Sequence, residues 1–218
     1  FIISKKKLAI KKYFFNDNFY KKIIKKKKDK RIINEFKKIK KYRKMIKFVY
    51  QNSPKGTGDA VLKCEKHIKS KYFLMLLPDD LIMIKNCSKE MIKLHNKHKS
   101  SVIASKKINK NEVQRWGIFK IKKENKNYFL IKDVIEKPSI KKAPSNYAVI
   151  GRYILPSKIF DYLKKQKAGQ NEEVHITDSI RSLILEKNKF LGYRFSGKYL
   201  DCGTMKGYID SFVKISKI

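Results

Sequence analysis

The chain has 218 residues, 42% of them hydrophobic, with a formal net charge of +36. That length and apolar content suit one domain with a sizeable core. A basic surplus of this size raises nucleic acid or an anionic membrane as partner. However, only six of the 55 basic residues are Arg, the residue whose bidentate fork reads base edges. Lys, Ile and Asn share AT-rich codons, so a biased genome can produce the excess without selection for binding. No apolar run approaches the ~20 residues that span a bilayer, and no secretory signal pattern is visible. Cys64, Cys87 and Cys202 are odd in number and lack CxxC spacing, which argues against a disulfide framework or structural zinc. The expectation is a reduced, soluble, cytoplasmic protein. From its opening, Phe1-Ile2-Ile3-Ser4, the true amino terminus is expected to lie upstream.

In chain order, residues 1–4 read as the end of a strand, and residues 5–45 carry helical spacing with heavy Lys decoration. Residues 46–50 read as a strand and a helix follows from about Asp59 to Ile68. Between them Pro54, Gly56 and Gly58 break the chain, giving a strand–loop–helix junction. Such a junction is either an ordinary βα turn or a ligand loop at a strand's carboxyl end, where a glycine lets backbone approach a ligand. The run Tyr72–Leu77 has the length and continuity of a buried strand. A helix over 88–98 and a strand over 101–107 come next. Residues 115–138 read as two or three antiparallel strands with an Asn-containing turn, and 146–156 as another strand. Helices at about 157–165 and 177–187, a strand at 190–196 and a closing helix from Met205 complete the chain. Alternating strands and helices interrupted by hairpins predict an α/β fold: a Rossmann-like mixed sheet flanked by helices, with an inserted antiparallel β region.

Several polar residues stand where chemistry is expected. Asp79 and Asp80 follow the apolar run 72–77, and Asp201 sits at a second strand-to-loop junction before Gly203. Carboxylates beside apolar neighbours need solvent, donors or a cation. Two that converge suit Mg²⁺ in phosphate chemistry; the plainer reading is a pair of polar turns. Glu136 and Lys137 precede Pro138. Adjacent strand residues point to opposite faces unless Pro138 twists the strand end; there Lys suits a phosphate and Glu accepts from hydroxyls. An exposed ion pair is the plainer reading. His95 and His98 read as surface residues, and no Ser-His-Asp or Cys-His order supports covalent catalysis.

Taken together, "QNSPKGTGDAV", "LLPDDLI", "WGIF", "VIEKP", "APSNYAVIGRYIL", "EEVHITDSI" and "YLDCGTMKGY" resemble, in order, the bacterial UTP–glucose-1-phosphate uridylyltransferases, a branch of the sugar-phosphate nucleotidyltransferases. The resemblance runs from about Leu8 onward. It implies one nucleotidyltransferase domain over residues 1–218, truncated at its N-terminus, making UDP-glucose and pyrophosphate from UTP and glucose 1-phosphate. By that resemblance, Gln51 reads the uracil edge and the Gly56 backbone packs on the base. Asp79 binds Mg²⁺ with Asp201 as the second acid, so that Asp79, Lys137 and Asp201 form the catalytic set. Gly117 lets the sugar approach the backbone, Glu136 accepts from glucose hydroxyls and Lys137 holds the sugar phosphate. Glu173, Thr177 and Asp178 match family positions and are expected to be mainly structural. The implied partners are the two substrates, with neither nucleic acid nor membrane, in a homo-oligomer. The alternatives are transfer to another sugar phosphate, such as thymidylyl transfer, and a basic nucleic-acid-binding protein. Three departures stand out. Asp59 replaces a frequent His, Met205 stands where the family usually has Lys, and the family's Gly-rich triphosphate loop has no counterpart. Without that loop the chain as given is expected to be poorly stable and not to turn over UTP.

Overall fold

The Lys-rich amino-terminal stretch folds as a short strand and three helices. The structure, a computed structural model, describes residues 1–167 and 173–217; Glu172 of the motifs above lies outside them. Ile2–Ile3 (β1) leads into helices Leu8–Phe15 (α1), Asp17–Lys27 (α2) and Lys30–Arg43 (α3). Asn16 and Asp29 cap α2 and α3 by accepting from the amides of Asn18 and Arg31. Tyr20, Phe36 and Ile39 bury together as a satellite core, with the Tyr20 and Phe36 rings stacked at 5.2 Å. Strand β1 then pairs in parallel with Val49–Tyr50 (β2).

The rest of the chain builds the main sheet and its helices. In order come Gly56–Leu62 (α4), Tyr72–Leu76 (β3), Asp80–Met83 (β4), Cys87–His98 (α5) and Ser101–Lys107 (β5). Gly117–Glu124 (β6), Tyr128–Glu136 (β7), Tyr147–Pro156 (β8), Ile159–Lys165 (α6) and Ile176–Leu185 (α7) follow. Phe190–Arg194 (β9), Lys198–Asp201 (β10) and Met205–Ile215 (α8) end it. Six strands form one mixed sheet in the order β3-β8-β5-β9-β7-β6, in which only β5 and β9 run parallel. Ala148 of β8 pairs with Lys106 of β5 on one edge and with Ile118 of β6 on the other, so β6 folds back onto β8.

Period-two alternation decides which side each core residue takes. On β8, Val149, Tyr153 and Leu155 join a core with α4, α6 and α7, while Ile150 and Ile154 pack against Cys87 and Met91 of α5 on the opposite face. The sheet is thus covered by helices on both sides, as expected for this class.

Three local expectations are corrected. Helix α4 starts at Gly56, ahead of the expected Asp59, so both loop glycines lie in its first turns. The run 72–77 is not buried. Among the described residues strand β3 pairs with β8 alone; on one face Tyr72 meets the His95 ring of α5 at 4.6 Å, while Leu74 and Leu76 further along are 39% and 50% exposed. Finally, His95 and His98 are half-buried: His95 Nδ1 meets Ser100 O at 2.7 Å, and the His98 ring lies 5.0 Å from that of Tyr128.

Candidate active site

A cleft of about 460 Å³ opens where α4, the ends of β3 and β7, the start of β6 and the start of α7 meet. Gln51, Gly56, Asp79, Gly117, Glu136, Lys137 and Asp201 all line it. The seven residues come from positions up to 150 apart in the chain, so tertiary folding alone brings them together.

The two acids meet through a two-stranded ribbon separate from the main sheet. Strand β4 pairs antiparallel with β10, with Asp80 opposite Asp201, and the Cys202 amide donates to Asp79 O at 2.8 Å. A Cβ on Gly203 would lie 3.1 Å from Asp79 Oδ2 and 3.2 Å from Asp201 Oδ1. Both oxygens therefore flank one small space, well inside the ~8 Å beyond which one Mg²⁺ could not serve both. Asp201 Oδ1 also accepts from the Gly203 amide at 2.9 Å, and its Oδ2 accepts from Arg115 Nη2 at 2.9 Å.

Asp80 has a different task. It is buried, its Oδ2 accepts from the Gly151 amide at 2.7 Å, and its Oδ1 accepts from the Tyr199 hydroxyl. Burial pushes its carboxyl above the usual range, against the pull of these two hydrogen bonds. The Tyr199 hydroxyl is raised too, first by its own burial and then by the Asp80 charge. Asp80 thus ties the ribbon to β8 and leaves exposed Asp79 to face the cleft.

Glu136 and Lys137 share the cleft because the strand end turns. Lys137 has φ +44°, in the left-handed region, and its amide donates to Trp116 O at 3.0 Å. That turn cancels the alternation that would have sent the two side chains apart. Glu136 lies opposite Gly117 in the β6–β7 ladder. A Cβ on Gly117 would sit 3.1 Å from Glu136 Oε2 and 3.1 Å from Val149, so the bare backbone keeps Glu136 in place.

Gly56 is glycine for an internal reason. Its φ is +90°, and a Cβ would fall 2.6 Å from Val174 O. The approach that forbids a side chain is therefore to the lead-in of α7, where the expectation had been approach to a ligand. The Gly58 amide donates to Val174 O at 2.7 Å, and Thr57 Oγ1 accepts from the Ile176 amide at 3.2 Å. Gln51 Nε2 donates to Gly56 O at 3.1 Å and to Asp59 Oδ2 at 2.7 Å.

Glu173 and Thr177 line the cleft as well, whereas Asp178 accepts from Gln166 Nε2 outside it. Sequence reasoning missed Arg115, which lines the cleft and pairs with Asp201; its position directly before "WGIF" was the available signal. It also missed the separate work of Asp80, since "PDD" does not say which acid the ribbon buries.

The mixed α/β sheet thus brings paired carboxylates and a Glu-Lys pair to one cleft. The chain belongs to the nucleotidyl transferase family, whose profile matches residues 9–218. It is 33% identical over 167 residues to the UTP–glucose-1-phosphate uridylyltransferase of Pseudomonas aeruginosa, covering 75% of this chain and 60% of that protein. It spans about three fifths of the length of the curated relatives it matches. A UDP-glucose pyrophosphorylase solved with UDP-glucose is 36% identical, with TM-score 0.78 over 84% of this chain and 71% of the other. An apo UDP-glucose pyrophosphorylase is 31% identical, with TM-score 0.85 over 99% and 80%.

Proposed function

We propose that this cleft serves uridylyl transfer, joining UTP and glucose 1-phosphate to give UDP-glucose and pyrophosphate. The observation that carries the reading is the convergence of Gln51, Gly117, Glu136, Lys137, Asp79 and Asp201 on one cleft, in a chain about one third identical to uridylyltransferases. A sugar-phosphate oxygen attacks the α-phosphorus of UTP, and pyrophosphate leaves. The attacker is already anionic, so the reaction needs positioning and charge neutralisation and no general base. Lys137 holds the sugar phosphate, Glu136 accepts from sugar hydroxyls beside the bare Gly117 backbone, and Gln51 reads the base. Asp79 and Asp201 are the residues that would hold Mg²⁺, which when bound neutralises phosphate charge and orients the α-phosphate. No described cluster of three or more His, Cys, Asp or Glu offers a site for a softer metal, and two carboxylates plus substrate phosphates suit Mg²⁺.

The proposed setting is the cytoplasm, supported by three free cysteines; no described helix is long and apolar enough to cross a membrane. A homo-oligomer belongs to the same reading, supported by exposed Met205, Ile209 and Phe212 on α8. The scarcity of Arg supports leaving nucleic acid out.

The test is Lys137→Ala, with glucose 1-phosphate and UTP titrated separately. The lost charge-assisted contact, worth ~1.5–3 kcal/mol, should weaken glucose 1-phosphate by at least ~10-fold and leave UTP within ~3-fold. Equal losses for the two substrates would contradict the assignment.

A further inference from the structure

The Gln51 amide is already committed on one side. Its Nε2 donates to Gly56 O at 3.1 Å and to Asp59 Oδ2 at 2.7 Å. A backbone carbonyl and a carboxylate accept and have nothing to donate. Asp59 is itself held, its side chain 14% exposed and its Oδ1 3.3 Å from Lys63 Nζ. A primary amide has two N–H donors at one end and two lone pairs at the other. With both donors engaged, Oε1 is the polar atom of the Gln51 side chain left for a ligand in the cleft. Turning the amide over would press Oε1 against two acceptors.

We propose that Asp59 is a specificity-determining positioning residue: it locks the Gln51 amide with its carbonyl outermost, so that the site selects a pyrimidine carrying a proton on ring N3. The inference rests on the uridylyl-transfer reading. Uracil carries that proton and donates it to Oε1. Cytosine has a lone pair there, and two acceptors would face each other in a partly desolvated cleft, a repulsive element that rejects the wrong base. Gly56 O alone supplies one acceptor for two N–H groups; Asp59 completes the pair.

The experiment titrates the chain with UDP-glucose and with CDP-glucose by calorimetry. The unaltered chain should bind UDP-glucose at least ~10-fold more tightly. Asp59→Ala should lower that ratio by ~10-fold, the order of one charge-assisted hydrogen bond, while glucose 1-phosphate binding stays within ~2-fold and reports correct folding. Asp59→Asn, whose Oδ1 still accepts, should keep the ratio within ~3-fold. Gln51→Leu should lower the ratio at least as far as Asp59→Ala, and adding Asp59→Ala to it should change the ratio by less than ~2-fold. A merely structural Asp59 would weaken both nucleotide sugars alike, with or without Gln51. An unchanged ratio in Asp59→Ala overturns the inference. An unaltered chain that binds both nucleotide sugars equally overturns it and leaves uridylyl transfer standing; one that binds neither overturns both.

Discussion

Asp79 and Asp80 are neighbours in sequence and opposites in surroundings. Asp79 is exposed to the cleft, while Asp80 is buried and satisfies two donors, one on each oxygen. Substituting each by Asn should therefore have opposite consequences. In a full-length version that carries the triphosphate loop, Asp79→Asn should leave the melting transition in place and lower kcat for UDP-glucose formation by at least ~10²-fold, the scale of one lost electrostatic stabiliser. A loss below a few-fold would remove Asp79 from the proposed Mg²⁺ site. Asp80→Asn leaves one buried donor facing an NH₂ group and should destabilise the fold by about 1–3 kcal/mol, which a denaturant titration would register. The sequence showed acids at a strand end and so pointed to residues that line the cleft, but not to the division of labour. That division is set by the β4–β10 register, a long-range pairing that no local pattern encodes. The same limit hid Arg115 and the Asp59–Gln51 contact, which join residues across loops.

At the scale of elements, long periodic segments were legible and short ones were not. Helix α5 and strands β5 and β8 fall within a residue or two of their expected spans: α5 carries apolar residues at helical spacing, and β5 and β8 contain continuous runs buried on both faces. The ribbon strands β4 and β10 have four residues each, too few for a period to stand out. Helix α4 begins early because Gly56 is held by the α7 lead-in, a contact 118 residues away in sequence. The end of β7 shows how an element boundary can serve a site. Lys137 takes the left-handed backbone, which costs an L-residue ~1 kcal/mol or more relative to Gly. Lys137→Gly and Lys137→Ala should thus lose glucose 1-phosphate binding equally. They should differ in stability, the Gly variant being the more stable by about 1 kcal/mol. Equal melting temperatures would show that the turn carries no strain.

Several strands have a single partner among the described residues. Strand β1 pairs only with β2 and β3 only with β8 among the described residues, and β3 exposes Leu74 and Leu76 beside unpaired backbone groups. Such edges template association. A net charge of +36 opposes it, since like-charged surfaces repel over a Debye length of ~10 Å at 0.1 M salt, shrinking to ~3 Å at 1 M. Light scattering should therefore rise as salt is raised from about 0.05 to 1 M at fixed protein concentration, and Leu76→Lys should blunt the rise. Scattering that falls with salt, or that ignores it, would count against this balance.

The open edge of β3 also bears on how this sequence can drift. A genome that favours AT-rich codons adds lysines at little cost, and each one helps keep exposed strands apart. Losing them is a different matter. Once the edge depends on repulsion for its solubility, substitutions that strip surface lysines are selected against even where the side chain touches nothing. An excess begun by codon usage would thereby become a ratchet, retained by colloidal need.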